Sequence, residues 1–171
     1  KRPDDFEQII ASDELIQDTL HSQILRVDLR DINQELIQYL TKHPHLMRES
    51  EPRKFEELVG ELFRNKGYEV ELTPRTRDGG LDIIAIEKSD IGSALTLIEC
   101  KRYAESHRVG IDVARGLYGV VEARRATRGI VATTSFFTQD AITFRNSVEY
   151  RLSLADFDNL TQFLREWKAI P

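Results

Sequence analysis

Apolar positions recur along this chain with two different periods, and the switches between them mark out its elements. Phe55, Leu58, Val59, Leu62 and Phe63 fall at i, i+3, i+4, i+7 and i+8, the spacing of a helix with one buried face. Pro52 suits the first turn of that helix and Gly67 its end. The next stretch, YEVELT, alternates with period two and reads as a strand. RDGG is a turn signal, and LDIIAIEK and ALTLIECKR read as a second and a third strand. Residues 109–126 return to helical spacing, with Val113, Leu117, Val120 and Val121 on the inward face. Gly116 and Gly119 are costly inside a helix, so they are expected to let that helix pack closely on a sheet. GIVATT is a short apolar strand, TQDAITFRN a helix with Thr138 at its N-cap, YRLSLAD a last strand and 156–168 a last helix. Three consecutive strands, followed by strands that alternate with helices, predict an α/β fold with a mixed central sheet and helices on both faces.

The N-terminal third reads differently. Between Pro3 and Pro44 there is no Gly or Pro, and Ser12 with Asp13 and Glu14 makes a helix start. Leu25, Leu29, Ile32, Leu36 and Tyr39 are spaced 4, 3, 4 and 3, a heptad-like seam. One unbroken helix of about 40 residues would be about 60 Å long, and two helices broken near His21-Ser22 account for the pattern as well. The seam either packs onto the chain's own core or assembles it with another subunit. Pro44 ends this region, and His43-Pro44-His45 reads as a loop. The expected division is an N-terminal helical extension over 1–50 and a second domain over 51–171.

Composition narrows the class. The 171 residues are 40% hydrophobic and 31% charged, a globular balance in a chain long enough to bury a core. No apolar run approaches the roughly 20 residues of a membrane span, and KRPDDFEQII has no apolar region of a signal peptide. The first residue is not Met, which leads us to expect a piece of a longer protein. The single cysteine, Cys100, excludes an intrachain disulfide, and the four histidines are not at zinc-site spacing. This cysteine usage predicts the cytoplasm. The net charge of −5 argues against a simple electrostatic nucleic-acid binder, but the acidity is local. Residues 1–60 carry 8 Lys+Arg and 13 Asp+Glu, and the rest of the chain carries 16 of each. A neutral domain can still present a local basic face.

The chemistry lies in DGGLDIIAIEKSDIGSALTLIECKRY, residues 78–103. Residues two apart share one face of a strand, so Glu99 and Lys101 point one way and Cys100 and Arg102 the other. If the second and third strands form a hairpin, Asp82 at the start of one lies near Glu99 and Lys101 at the end of the other. Charged groups in core strands are costly unless paired or ligated. Two carboxylates with a nearby backbone carbonyl make a hard, oxygen-rich site suited to Mg²⁺. A lysine beside them can orient a water or stabilise developing charge.

Asp82, a spacer, then Glu99-Cys100-Lys101 resembles the D…(D/E)-X-K signature of the PD-(D/E)XK nucleases. FEELVGELFRNKGYEVELTPRTRDGGLDIIAI, LIECKRY and GIVATTSFFTQDA resemble the catalytic domain of Mrr-type restriction endonucleases over roughly residues 36–165. Leu81 stands where the signature has Pro, and Glu99 where some members have Gln. The resemblance implies a restriction-endonuclease-like fold and a Mg²⁺-dependent DNA endonuclease, with Mn²⁺ able to substitute, acting in defence against foreign DNA. It implies that Asp82, Glu99 and the Cys100 carbonyl hold the ion, with Lys101 assisting the water and the Cys100 side chain in the core. A repair or recombination nuclease of the same fold, or a non-cleaving DNA-binding or assembly module, are the alternatives. The expected partners are DNA and, through the N-terminal helices, a second copy or other subunits. Related nucleases often add one acidic residue from the first helix. Glu56 lies about 90° from the centre of that helix's apolar face and Glu57 about 170°, so Glu56 is the candidate. For DNA contact the candidates are Arg75, Arg77, Gly79, Gly80, Arg102 and Thr134. Arg75 and Arg77 read equally as solvated surface, Asp78 reads as a turn residue, and Thr133, Thr134 and Ser135 serve equally as a helix cap.

Overall fold

The computed structural model describes residues 34–74 and 80–167. Arg75, Arg77, Asp78 and Gly79 lie outside the described residues, as do Ser12, Leu25, Leu29 and Ile32 of the predicted N-terminal helices. The chain divides into two units, 1–32 and 33–171, and every described residue belongs to the second. Residues 34–50, expected in the N-terminal extension, cluster in the same unit as the other described residues. Helix α1 (Gln34–Lys42) and the 3₁₀ turn Pro44–Arg48 bury Leu36, Ile37, Leu40, Leu46 and Met47 in the core of the second unit. Of the residues read as a His-Pro-His loop, Pro44 and His45 open that 3₁₀ turn and only His43 precedes it, as the N-cap.

Helix α2 (Pro52–Asn65) buries Phe55, Leu58, Val59, Leu62 and Phe63, the face its periodicity predicts. The strands are β1 (Glu69–Leu72), β2 (Ile83–Ser89), β3 (Gly92–Lys101), β4 (Arg128–Thr133) and β5 (Leu152–Ala155). They form one five-stranded sheet in sequence order. The β1–β2 and β2–β3 pairs are antiparallel, and the β3–β4 and β4–β5 pairs are parallel. Each parallel pair needs a crossover. Helices α3 (Ile111–Ala123) and α4 (Gln139–Ser147) supply them. The last helix, α5 (Phe157–Glu166), starts at a capping box formed by Asp156 and Asn159. This is the mixed sheet with flanking helices that the sequence predicts.

The two faces of the sheet bury different sets of residues. Leu97, Val131 and Leu152 pack with Leu117 and Val121 of α3 and Ala141 of α4. On the other face Gly60 of α2 lies against Val70, Leu72 and Ile83. Helix α5 joins α2 through an edge-to-face contact of Phe63 with Phe163. The close packing expected of Gly116 and Gly119 is not found. Both are exposed and face open space, and the tight helix–sheet contact is made from the strand side at Gly129. A Cβ at Gly129 would lie 2.9 Å from Val121 Cγ2 and 3.0 Å from Leu117 Cγ.

Gly129→Ala is therefore expected to destabilise the domain by about 1–3 kcal/mol, because a β-branched valine cannot swing aside. Gly119→Ala is expected to stabilise it by about 0.5–1 kcal/mol. Urea denaturation of the two variants checks both signs.

Candidate active site

The antiparallel register pairs Ile83 with Ile98 and so sets Asp82, one residue ahead of β2, opposite Glu99. The Asp82 amide donates to the Ile98 carbonyl at 3.0 Å. At the next rung the Asp82 carboxylate takes over from the backbone: its Oδ2 accepts from the Cys100 N–H at 2.6 Å. In a strand the N–H and C=O of one residue project to the same side. The Cys100 carbonyl therefore also opens towards Asp82.

Glu99 follows Leu97 on the α3 face and is 6% exposed. Its Oε1 meets the Lys101 ammonium at 2.7 Å. Gly80 covers it: at φ +82°, a Cβ there would lie 2.8 Å from Glu99 Oε1. Gly80, a candidate for DNA contact, thus lies against the protein's own carboxylate. The structure brings Asp82, Glu99 and Lys101 to one end of the β2–β3 hairpin.

Burial raises the Asp82 carboxyl above its usual range, with the Cys100 N–H opposing and the Glu56 charge adding to the rise. Burial also raises Glu99, and the Lys101 hydrogen bond opposes it. Burial alone would lower Lys101, but the hydrogen bond and charge of Glu99, then Tyr103 and Asp82, leave it raised. Lys101 is therefore a charged ammonium at neutral pH. Cys100 lies half-buried on the opposite face, and burial, then Asp82, Glu56 and Glu99, push its thiol well above normal. A protonated thiol is a poor nucleophile.

Glu56 and Glu57 are both half-buried, so the helix does not turn Glu57 fully to water as its angle predicts. Glu56 is 15% exposed and pairs with Arg53 at 2.8 Å; Glu57 is 29% exposed and pairs with Lys54 at 2.6 Å. Only Glu56 of the two contributes to the electrostatics of Asp82. Two DNA-contact candidates have internal roles instead. Thr134 is 0% exposed, donates its hydroxyl to the Tyr103 carbonyl and accepts from the Tyr103 N–H, so it is not available to a phosphate. Thr133 and Ser135 are buried too, bonded to the carbonyls of Lys101 and Glu105. Arg102 turns away from Lys101 and donates to the Arg48 carbonyl at 2.7 Å. Residues that sequence reasoning missed are Tyr103, whose charge acts on Lys101 and whose ring is tilted against His107, and Arg53, whose i, i+3 spacing from Glu56 was the available signal.

Among the described residues no group of three or more His, Cys, Asp or Glu side chains forms a ready metal cage. The donor set of Asp82, Glu99 and the Cys100 carbonyl is nevertheless all oxygen, and carries two negative charges against one lysine. One oxygen of each carboxylate is engaged, Asp82 Oδ2 by Cys100 and Glu99 Oε1 by Lys101. That chemistry fits a hard divalent cation.

Structural comparison gives the class. The fold is that of the restriction endonucleases. It is similar to the DNA modification-dependent restriction endonuclease AspBHI, with a TM-score of 0.61 and 21% identity over 78% of this chain and 36% of that one. It is also similar to the MspJI restriction endonuclease in complex with a 27-mer oligonucleotide, with a TM-score of 0.58 and 18% identity over 81% of this chain and 33% of that one. The Mrr catalytic-domain family, described as restriction endonuclease, matches residues 47–164, and the chain belongs to it. A relative is the type IV methyl-directed restriction enzyme EcoKMrr of Escherichia coli (strain K12), 31% identical over 121 residues, which cover 67% of this chain and 38% of that protein. The chain spans less than two fifths of the length of the curated relatives it matches. No helix among the described residues is long and apolar enough to cross a membrane.

The raised Asp82 carboxyl makes a prediction about stability. A carboxyl raised on folding binds its proton more tightly in the native state, so stability falls as pH rises through the window between its unfolded and folded values. Above that window the ionised group remains a fixed cost. In EDTA near pH 7, Asp82→Asn is therefore expected to melt no lower than the unsubstituted protein. Its advantage should shrink as the pH falls towards about 4, where the unfolded carboxyl protonates. Thermal melts at the two pH values check this.

Proposed function

We propose that this domain is a Mg²⁺-dependent DNA endonuclease of the Mrr type, acting in the restriction of foreign DNA. The observation that carries the reading is Asp82 opposite Glu99 with Lys101 on Glu99, within a chain of a restriction-endonuclease family. Asp82, Glu99 and the Cys100 carbonyl would hold the ion, with Mn²⁺ able to replace it. A bound divalent ion supplies Lewis acidity to a phosphoryl oxygen and acidity to its water.

The side chains divide the remaining work. Lys101 has three donors, and Glu99 engages it at 2.7 Å. The others are free to orient a water or a phosphoryl oxygen and to stabilise the negative charge that grows there. Glu56 adds a third carboxylate on the Asp82 side. Two of the similar proteins are named for acting on modified or methylated DNA. Reading a modification needs contacts to base edges, and the groups gathered here suit the backbone. We assign cleavage to this domain, with modified DNA as the substrate class of the protein that carries it.

A supercoiled plasmid is expected to be nicked or linearised in Mg²⁺ and left intact in EDTA. Lys101→Ala is expected to slow single-turnover cleavage by at least about a hundredfold, the scale of losing one preorganised donor. Gel-shift affinity for DNA should stay within about threefold. A variant that cuts at the parent rate would remove Lys101 from its assigned role.

The same assay separates the two adjacent glutamates. Glu56→Ala is expected to cost at least about tenfold in rate, or about 1.4 kcal/mol of barrier. Glu57→Ala is expected to be nearly silent. The reverse pattern would mean that the α2 face towards Asp82 has been misassigned.

A further inference from the structure

Arg53 occupies an unusual position for an i, i+3 partner on a helix. Most such pairs are surface contacts worth a few tenths of a kcal/mol. Here a single nitrogen, Nη1, donates both to Glu56 Oε2 at 2.8 Å and to the Thr73 carbonyl at 2.9 Å, twenty residues along the chain. Thr73 is in turn bound to the residue that the site depends on. Its amide donates to the Asp82 carbonyl at 2.9 Å, and its hydroxyl donates to the carbonyls of Leu81 at 2.6 Å and Asp82 at 3.2 Å. A continuous chain of hydrogen bonds therefore runs from Glu56 through Arg53 and Thr73 to the backbone of Asp82.

This arrangement answers a problem of precision. Asp82 lies just ahead of the first β2 residue, so on its N-terminal side the ladder no longer fixes it. Thr73 anchors that side from the end of β1, and Arg53 fastens Thr73 to α2, the helix that carries Glu56.

We propose that Arg53 is a positioning residue: it holds the Glu56 carboxylate and the Asp82 backbone at a fixed separation, and so sets how well the site takes up a divalent cation and cleaves. The inference rests on the nuclease reading above for its catalytic consequence, and on the hydrogen-bond chain alone for its structural one.

The test uses Arg53→Met, which keeps an unbranched side chain but removes the charge and donors, and Arg53→Lys, which restores charge and a donor. Hydrogen exchange at the Thr73 amide, in the absence of metal and DNA, should become at least about tenfold faster in Arg53→Met. Mg²⁺ affinity by calorimetry should weaken by about tenfold. The single-turnover rate should fall by at least about tenfold with the half-saturating DNA concentration within twofold, and Arg53→Lys should recover part of each loss. In a Glu56→Ala background the further loss from Arg53→Met should be only about twofold, since the two residues act as one unit. Unchanged Thr73 exchange overturns the clamp. Unchanged metal affinity and rate, with only a lower melting temperature, reduces Arg53 to a structural role and overturns the proposal. If instead the unsubstituted protein neither binds Mg²⁺ nor cuts DNA, the nuclease reading fails, and with it the catalytic part of the inference. The exchange result then still decides the clamp.

Discussion

One backbone hydrogen bond, from the Asp82 amide to the Ile98 carbonyl, underlies the site. It is an out-of-register bond just past the Ile83–Ile98 rung, where the β2–β3 ladder ends. Because side chains alternate along a strand, a slip of one residue would move Glu99 and Lys101 to the opposite face and leave Asp82 without a counterpart. The register is secured from both faces: Ile83 and Ile98 pair towards α2, while Leu97 packs towards α3. Beyond that rung the carboxylate of Asp82 satisfies the Cys100 amide that the backbone no longer reaches. One residue thus ends the ladder and faces the site.

The site concentrates negative charge that the rest of the fold does not neutralise. Asp82 and Glu99 are both held above their ordinary ionisation range by burial, and Lys101 offsets only part of it. An apolar pair at these positions would pack at lower cost, since unpaired buried charge is expensive. Sites of this kind give up stability for chemistry. The glycine at position 80 belongs to the same compromise, because a side chain there would strike the Glu99 carboxylate.

Arginines near the site are used largely as internal fasteners. Arg48 reaches the Thr134 carbonyl and lies 4.0 Å over the Phe157 ring, Arg102 holds the Arg48 carbonyl, and Arg53 holds Glu56 and Thr73. The planar fork of arginine suits such multiple contacts better than lysine does. This explains how a chain with net charge −5 carries so many arginines around the candidate site without presenting all of them to a phosphate backbone.

The sequence by itself determined what depends on local periodicity. The apolar stripe of α2 fixed its buried face. The alternation in β2 and β3, with a turn between them, fixed which side chains share a face and set Asp82 near Glu99. The order of strands and helices fixed the mixed sheet. Only the tertiary structure decided which local features were used for packing between distant segments. Thr134 looks like a free hydroxyl before a helix, yet it stitches the Tyr103 backbone. Gly116 and Gly119 look like helix–sheet contacts, yet the contact is made at Gly129. Arg102 looks like a basic neighbour of Lys101, yet its partner is 54 residues away. Periodicity reports the angle at which a side chain leaves its own element, and carries no information on what the fold brings to meet it.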